Sequence, residues 1–247
     1  MSEKQFSESC FNRSFTFRFG DCDVRKNASI YAIMKLFSEA AGDDYESRRL
    51  GHGVLWEHGQ AFIISRLAIE FQSLPVFGEE IVLRTWEREV KGPFFYRDFE
   101  ITDKNGAPMA AGTSQWLLVN PHTHEILRPS VLYGGLFEGK STFAACHPCK
   151  KLRMPAEYDV LGQRTIYYSD LDSNNHVNNA VYGRIATDFL PEEYRSRSLR
   201  GLDISFNLET RLGETLELRG AETSEGYMVL GVVGDAMHFA CELQFNI

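Results

Sequence analysis

The stretch Asp172-Ser-Asn174-Asn-His176-Val-Asn178-Asn179 carries a carboxylate, an amide and an imidazole at alternate positions within five residues. An imidazole that titrates near neutrality beside a carboxylate is a pair suited to moving a proton. An amide adds a hydrogen-bond donor that stays neutral at every pH. The stretch lies between a strand-like run and a helix-like run. Asp and Asn in that position also serve as caps and turn formers, so spacing alone leaves catalysis and capping both open.

An internal comparison favours catalysis. Leu67-Ala-Ile-Glu-Phe71-Gln-Ser-Leu74-Pro-Val-Phe-Gly78-Glu79 matches Leu202-Asp-Ile-Ser-Phe206-Asn-Leu-Glu209-Thr-Arg-Leu-Gly213-Glu214 at Leu, Ile, Phe, Gly and Glu. Phe19-Gly-Asp21-Cys-Asp23 matches Tyr168-Ser-Asp170-Leu-Asp172 in the same way. The chain therefore reads as two copies of one unit. In the first copy the loop after the second Asp, Asp23-Val-Arg-Lys-Asn-Ala-Ser, reads as two residues shorter and has no His. Leu74 stands where the second copy has Glu209. If these residues only capped a helix, both copies could keep the same set. The second copy is thus the expected seat of chemistry.

Each unit must position such residues with the same elements. A short aromatic strand (Phe15 to Phe19; Thr165 to Tyr168) leads into the DxD pair. A helix follows, with Ile30, Ile33, Met34, Phe37 and Ala41 at helical spacing in the first copy and a close near Gly51. In the second copy Val181, Tyr182, Ile185 and Phe189 repeat the pattern, and Pro191 stops it. Four strands come next: Ala61 to Gln72, Glu79 to Val90, Phe94 to Thr102 and Met109 to Asn120, then Leu202 to Leu208, Thr215 to Ala221, Tyr227 to Val233 and His238 to Phe245. Asp103-Lys-Asn-Gly106 and Gly234-Asp235 read as hairpin turns. One helix followed by antiparallel strands, twice, is an α+β layout. The expected fold is a tandem, or double, hot-dog: two helix-wrapped antiparallel sheets joined edge to edge in one chain, which also covers a strand edge. The expected units are residues 10–135 and 160–247, with 136–159 as linker and Pro129 to Pro155 carrying the connection.

Composition narrows the function classes. The 247 residues are 43% hydrophobic and 24% charged, ordinary for a globular protein. Eighteen Phe and ten Tyr supply a core or an apolar tunnel. A net charge of −8 argues against a nucleic-acid binder. Two local basic clusters remain, Lys150, Lys151 and Arg153, and Arg195, Arg197 and Arg200, either of which could receive an acidic partner. No uncharged run is long enough to span a bilayer. The start, from Met1 to Glu8, has neither an apolar core nor an Arg-rich character, so the expected location is the cytoplasm. Five Cys in that setting read as thiols. Cys146-His-Pro-Cys149 has no second CxxC and no helical period after it, so it reads as linker with incidental thiols rather than a redox dithiol or metal site. No metal and no cofactor are expected.

At these residues the chain resembles a known family. The run Asp170-Leu-Asp172-Ser-Asn174-Asn-His176-Val-Asn-Asn-Ala-Val-Tyr182 closely resembles the active-site segment of fatty acyl–acyl carrier protein thioesterases, a plant and bacterial family with a double hot-dog fold. Gly78-Glu-Glu-Ile-Val-Leu-Arg-Thr85-Trp86, Arg97-Asp-Phe-Glu-Ile-Thr-Asp-Lys-Asn-Gly106 and Ser114-Gln-Trp116-Leu-Leu-Val-Asn120-Pro-His-Thr123 look like its first-domain signatures. The resemblance runs from about Phe15 onward. It implies hydrolysis of fatty acyl–acyl carrier protein to free fatty acid and carrier protein, ending chain elongation. It implies a catalytic set of Asp172, Asn174, His176 and Glu209, and an acyl slot between helix and sheet of a non-catalytic first unit, near Met34, Phe37 and Ile64. Plant members carry a Cys next to their Glu; here that residue is Thr210. The lack of a transit-like start fits a bacterial-type cytosolic member. The implied partner is an acidic carrier protein bearing a fatty acyl chain. A homodimer is compatible with a fused pair.

Thioester hydrolysis requires attack on the carbonyl carbon and stabilisation of the developing oxyanion. Asp172 or Glu209 could activate water while His176 orients or shares the proton, or a carboxylate could attack directly through an anhydride. Asn174 can donate to the base or the carbonyl. Backbone N–H groups from Val177 to Asn179, at the positive end of the second helix, can polarise the carbonyl. Fold alone does not choose among acyl-carrier thioesterase, acyl-CoA thioesterase and hydroxyacyl dehydratase. A non-catalytic acyl-binding module and a dithiol oxidoreductase are the remaining alternatives.

Overall fold

The computed structural model describes residues 10–136 and 139–246. The opening stretch Met1–Glu8 and residues 137 and 138 of the expected linker lie outside them. The first half contributes β1 (Phe11–Thr16), α1 (Ile30–Ser47), α2 (His52–Glu57), β2 (Ala61–Phe71), β3 (Glu80–Lys91), β4 (Phe94–Asp103) and β5 (Pro108–Val119). The second repeats the plan with β6 (Asp159–Thr165), α3 (Asn179–Asp188), α4 (Glu192–Arg195), β7 (Leu199–Phe206), β8 (Thr215–Glu222), β9 (Gly226–Val233) and β10 (Ala236–Phe245).

The ten strands form one antiparallel sheet in the order β1-β3-β4-β5-β2-β7-β10-β9-β8-β6. The halves meet where β2 pairs with β7, from Arg66 opposite Ser205 to Glu70 opposite Gly201. Each half thereby hides one strand edge against the other, as the tandem reading expects. Both long helices lie on one face of the sheet. α1 buries Ile30, Ile33, Met34, Leu36 and Phe37, and α3 buries Val181, Tyr182 and Ile185. The two helices touch at Gly183, where a Cβ would come within 2.5 Å of the Met34 sulfur, so the close approach depends on the absent side chain.

The connector crosses the opposite face. Trp86 Nε1 donates to the Thr142 carbonyl, the Ala144 amide donates to Asp98, and the Leu152 amide donates to the Ser205 hydroxyl. Leu152 then packs into a small second core with Met228, Leu230 and Val232.

The aromatic runs preceding the DxD pairs differ from expectation. The strands end at Thr16 and Thr165, and Phe19–Asp21 and Tyr168–Asp170 are single 3₁₀ turns. The cause is local. The Arg18 amide donates to the Asp21 carboxylate at 2.8 Å, and the Tyr167 amide to the Asp170 carboxylate at 2.9 Å, which bends the chain before the helix. Phe19 and Tyr168 consequently point to solvent.

Candidate functional site

The two DxD loops have the same length and the same backbone hydrogen bonds, so the two-residue shortening read from the sequence is not present. In the second loop the Asp172 amide donates to the His176 carbonyl, and the Asp172 Oδ1 accepts from the amides of Asn174 (2.8 Å) and His176 (3.4 Å). In the first, the Asp23 amide donates to the Asn27 carbonyl, and the Asp23 Oδ1 accepts from the amides of Arg25 and Asn27, both at 2.9 Å. Asn175 and Lys26 sit at matching left-handed positions, φ 64° and 66°. Both are strained relative to Gly there, and Asn tolerates the region best. Aligned by these bonds, Asn27 occupies the place of His176 and Arg25 the place of Asn174.

The second loop delivers His176 to Glu209. The His176 Nε2 lies 3.1 Å from a Glu209 carboxylate oxygen. The contact is half-open: the His176 side chain is 27% exposed and that of Glu209 36%, so water can reach the pair. Its backbone is pinned beside the contact, because the Val177 amide donates to the Thr210 carbonyl at 3.0 Å. Asp172 stands one turn back with its carboxylate facing the loop's own amides, and the Asn174 side chain projects to solvent. Of the predicted set, His176 and Glu209 thus meet directly, while Asp172 reaches His176 through the main chain.

The expected amide cradle at the start of α3 is reduced. The Val177 amide is taken by Thr210, the Asn178 amide donates to the Asp170 carbonyl at 2.9 Å, and Asn178 Oδ1 caps the Ala180 amide. Among the described residues this leaves the Asn179 amide at the helix mouth.

One neighbour was not legible in the chain. His124, in the loop after β5 of the first half, brings its Nδ1 to 3.8 Å from the other Glu209 oxygen. Only the β2–β7 seam places it there. At the same end of the sheet lies a cavity of about 190 Å³, between the last turns of α1, α2 and strands β2 to β5. Ala41, Leu55, Phe62, Phe95 and Trp116 give it apolar walls, and Tyr45, Glu87 and Arg97 a polar end. Met34, Phe37 and Ile64, the residues expected at an acyl slot, are instead packed core; Phe37 stacks on Phe99 with ring centroids 4.3 Å apart. The opening sits one to two turns further along α1 because small residues there, Ala41 and Gly42, leave the space.

Cys146-His147-Pro-Cys149 lies over the seam. His147 is held between Glu70 of β2 (Nδ1, 2.6 Å) and Asp203 of β7 (Nε2, 2.9 Å). The hydrogen bond to Asp203 is the chief influence raising its pKa, against burial. Glu70, Cys146 and His147 are close enough to hold a metal ion, yet both ring nitrogens already have carboxylate partners. Burial pushes the Cys146 thiol up and the Cys149 thiol up to about 12, which disfavours the thiolate that redox or metal chemistry needs. In the basic clusters, Lys150 pairs with Asp203 at 3.4 Å, Arg195 binds the carbonyls of Asp188 and Leu190, and Arg200 pairs with Glu225. No helix among the described residues is long and apolar enough to cross a membrane.

A continuous ten-stranded sheet carrying two copies of one helix-on-sheet unit, joined antiparallel through β2 and β7, defines a double hot-dog protein. The model of the acyl-ACP thioesterase N-terminal domain matches residues 8–129, and that of the acyl-ACP thioesterase C-terminal domain matches residues 157–238. The chain belongs to the acyl-ACP thioesterase family. It is 25% identical over 222 residues to a chloroplastic acyl-[acyl-carrier-protein] hydrolase of Cuphea viscosissima, covering 84% of this chain and 53% of that protein. To oleoyl-acyl carrier protein thioesterase 1 of Arabidopsis thaliana, also chloroplastic, it is 24% identical over 177 residues, covering 66% and 49%. The chain spans about half the length of the curated relatives it matches. In fold it is similar to the 12:0-ACP thioesterase from Umbellularia californica (TM-score 0.85, 21% identity, 96% and 97% of the two chains). The acyl-ACP thioesterase from Bacteroides thetaiotaomicron is similar too (TM-score 0.79, 23% identity, all of both chains).

Proposed function

We propose that this chain hydrolyses fatty acyl–acyl carrier protein, releasing free fatty acid and the carrier thiol and so ending chain elongation. The observation that carries the reading is the 3.1 Å contact of His176 with Glu209, set in the family's polar loop and replaced by Asn27 and Leu74 in the sister half. A carboxylate accepting from an imidazole can take a proton from an attacking water, while the imidazole holds that carboxylate in place and shares the charge. Glu209 is the better base of the two carboxylates, because Asp172 spends its Oδ1 on the loop's amides. Asn174, free to turn from the loop's exposed side, is positioned to donate to the thioester carbonyl, with the Asn179 amide as a second donor.

In this reading the first half is non-catalytic and its cavity receives the acyl chain, as apolar concave sites generally do. The shared end of β2 and β5 borders both cavity and His176–Glu209 pair, which supports one continuous substrate path. The acidic carrier lands on exposed basic residues such as Lys151 and Arg153, and the enzyme works in the cytoplasm. Thiol release is measured over a ladder of acyl-carrier, acyl-CoA and hydroxyacyl thioesters, with the acids identified by mass. The expected result is release from acyl-carrier substrates and its loss in Glu209→Ala. An unchanged rate in Glu209→Ala overturns the assignment. Carrier affinity is expected to fall as salt rises; affinity constant across a wide salt range removes the charged docking site.

A further inference from the structure

Behind Glu209 lies a buried polar chain that the reaction as described does not use. The Tyr182 hydroxyl of α3 donates to the Thr210 hydroxyl at 2.9 Å. The Thr210 hydroxyl lies 2.8 Å from Nδ1 of His238, near the start of β10. Tyr182, Thr210 and His238 are all buried, Thr210 completely. Burial holds His238 below its ordinary imidazole range, opposed by the Glu214 charge and by hydrogen bonding with the Glu209 main chain. Burial also pushes the Tyr182 phenol up to about 12. The tyrosine therefore stays a donor and the imidazole stays neutral. The Thr210 hydroxyl thus bridges the Tyr182 hydroxyl and Nδ1 of His238.

The sister half supplies the control. The Val177 amide donates to the Thr210 carbonyl just as the Ala28 amide donates to the Pro75 carbonyl. The amides of Asn207 and Leu208 donate to the His238 carbonyl just as those of Gln72 and Ser73 donate to the Met109 carbonyl. Tyr182 and Ile33 both stand in the first turns of their helices, three residues beyond Asn179 and Ile30 respectively. The equivalents of Tyr182, Thr210 and His238 are thus Ile33, Pro75 and Met109, all buried. An apolar trio fills these places without loss of fold. A buried polar trio is the harder choice, since each group must be desolvated and matched. Its presence only in the half that has the His–Glu pair calls for a role tied to that pair.

We propose that Tyr182, Thr210 and His238 are positioning residues that hold the main chain of residues 209 and 210 and thereby aim the Glu209 carboxylate at His176. The proposal rests on the reading of Glu209 and His176 as the reacting pair. Thr210 is a hydroxyl relay here and not a nucleophile: its oxygen is fully enclosed and bonded on both sides. The trio holds Thr210, the residue next to Glu209, by its side chain, while the Val177 amide holds the Thr210 carbonyl from the His176 side, so the two partners share one frame.

The test uses the full chain with Thr210→Val, Thr210→Ser and Tyr182→Phe. Thr210→Val is expected to lower kcat about tenfold or more with KM within about twofold, Thr210→Ser to restore most of it, and Tyr182→Phe to give a smaller loss of the same kind. The second readout is the NMR chemical shift of the His176 ring at one fixed pH, which needs no turnover and reports the contact with Glu209. In Thr210→Val and Tyr182→Phe it is expected to move toward the position found in Glu209→Ala. Folded Thr210→Val or Tyr182→Phe protein with wild-type kcat and a wild-type His176 ring shift overturns the proposal. Tyr182→Phe, which removes one oxygen, decides the matter if Thr210→Val does not fold. A wild-type protein that releases no thiol from acyl-carrier substrates sinks the functional reading instead, and the ring shift then still reports on the relay.

Discussion

The loops at residues 21–30 and 170–179 share one skeleton and differ in what hangs from it. In both, the first Asp folds the 3₁₀ turn and its carbonyl receives the helix-capping residue, Ser29 or Asn178. In both, the second Asp closes the loop on two amides. The two aspartates are kept, while the side chains at the other positions have diverged. His176 and Asn174 became Asn27 and Arg25, or the reverse, without disturbing a backbone bond. Arg25 turns its guanidinium to the carbonyls of Ser196 and Arg197, both at 3.2 Å, in the other half. One loop holds His176 against Glu209; its twin clips the two halves together. The aspartates at 23 and 172 do the same job in both loops, closing the turn on two amides.

That comparison is most directly broken at the His–Glu pair. His176→Ala and Glu209→Gln are each expected to lower kcat by about 10²–10⁴-fold, whereas Asn27→Ala, at the twin of His176, leaves kcat within about twofold in the same thiol-release assay. Equal losses at both sites would dissolve the division of labour.

The aspartates sharpen it. Asp23→Ala and Asp172→Ala are each expected to cost about 1 kcal/mol of stability in urea unfolding, since each removes an acceptor for two amides. Asp172→Asn retains an oxygen at that place and is expected to keep kcat within about tenfold of wild type. A loss as deep as that of Glu209→Gln would make Asp172 the base after all.

The seam between the halves gives a pH-dependent effect. His147 gains carboxylate partners on folding and its folded pKa is raised above 6.5. Its contribution is therefore complete below the unfolded value near 6.5 and fades as pH rises through the higher folded value. The difference in Tm between wild type and His147→Gln should be largest at mildly acidic pH and shrink under alkaline conditions. A difference that grows with pH would reverse the sign. The smallest effect expected is that of the clip: Arg25→Ala should lower Tm by about 1–3 °C, as the loss of exposed hydrogen bonds in a chain of this size does, with kcat unchanged.

Much of this architecture could be read along the chain, because the information is periodic. The apolar spacing of Ile30, Ile33, Met34 and Phe37 specifies a helix face whatever that face meets, and alternation with turn residues specifies the strands. The repeat, read from Leu67 to Glu79 against Leu202 to Glu214, led to Glu209. Two readings went astray for a common reason. The loops were compared by residue type, which obscured that Asn27 and His176 share a backbone position. The aromatic runs were read as strands, although a side-chain carboxylate bends each of them. Met34, Phe37 and Ile64, expected near an acyl slot, pack into the core, and the cavity lies further along, where α1 turns to Ala41 and Gly42. His124 gave no signal, since its approach to Glu209 is made across the pairing of β2 with β7. Tyr182 and His238 read as a core aromatic and a strand residue because their partner, Thr210, is remote from both in sequence.

From sequence alone came the tandem, its element types and the half that carries the histidine and the glutamate, since patterns of burial and turn formation are local and survive in one dimension. Folding alone settled which groups touch: a histidine, a glutamate and the buried relay behind it converge because helix, loop and neighbouring strands are packed into one frame. Contact at hydrogen-bonding distance is a property of that packing, and no spacing along a chain encodes it.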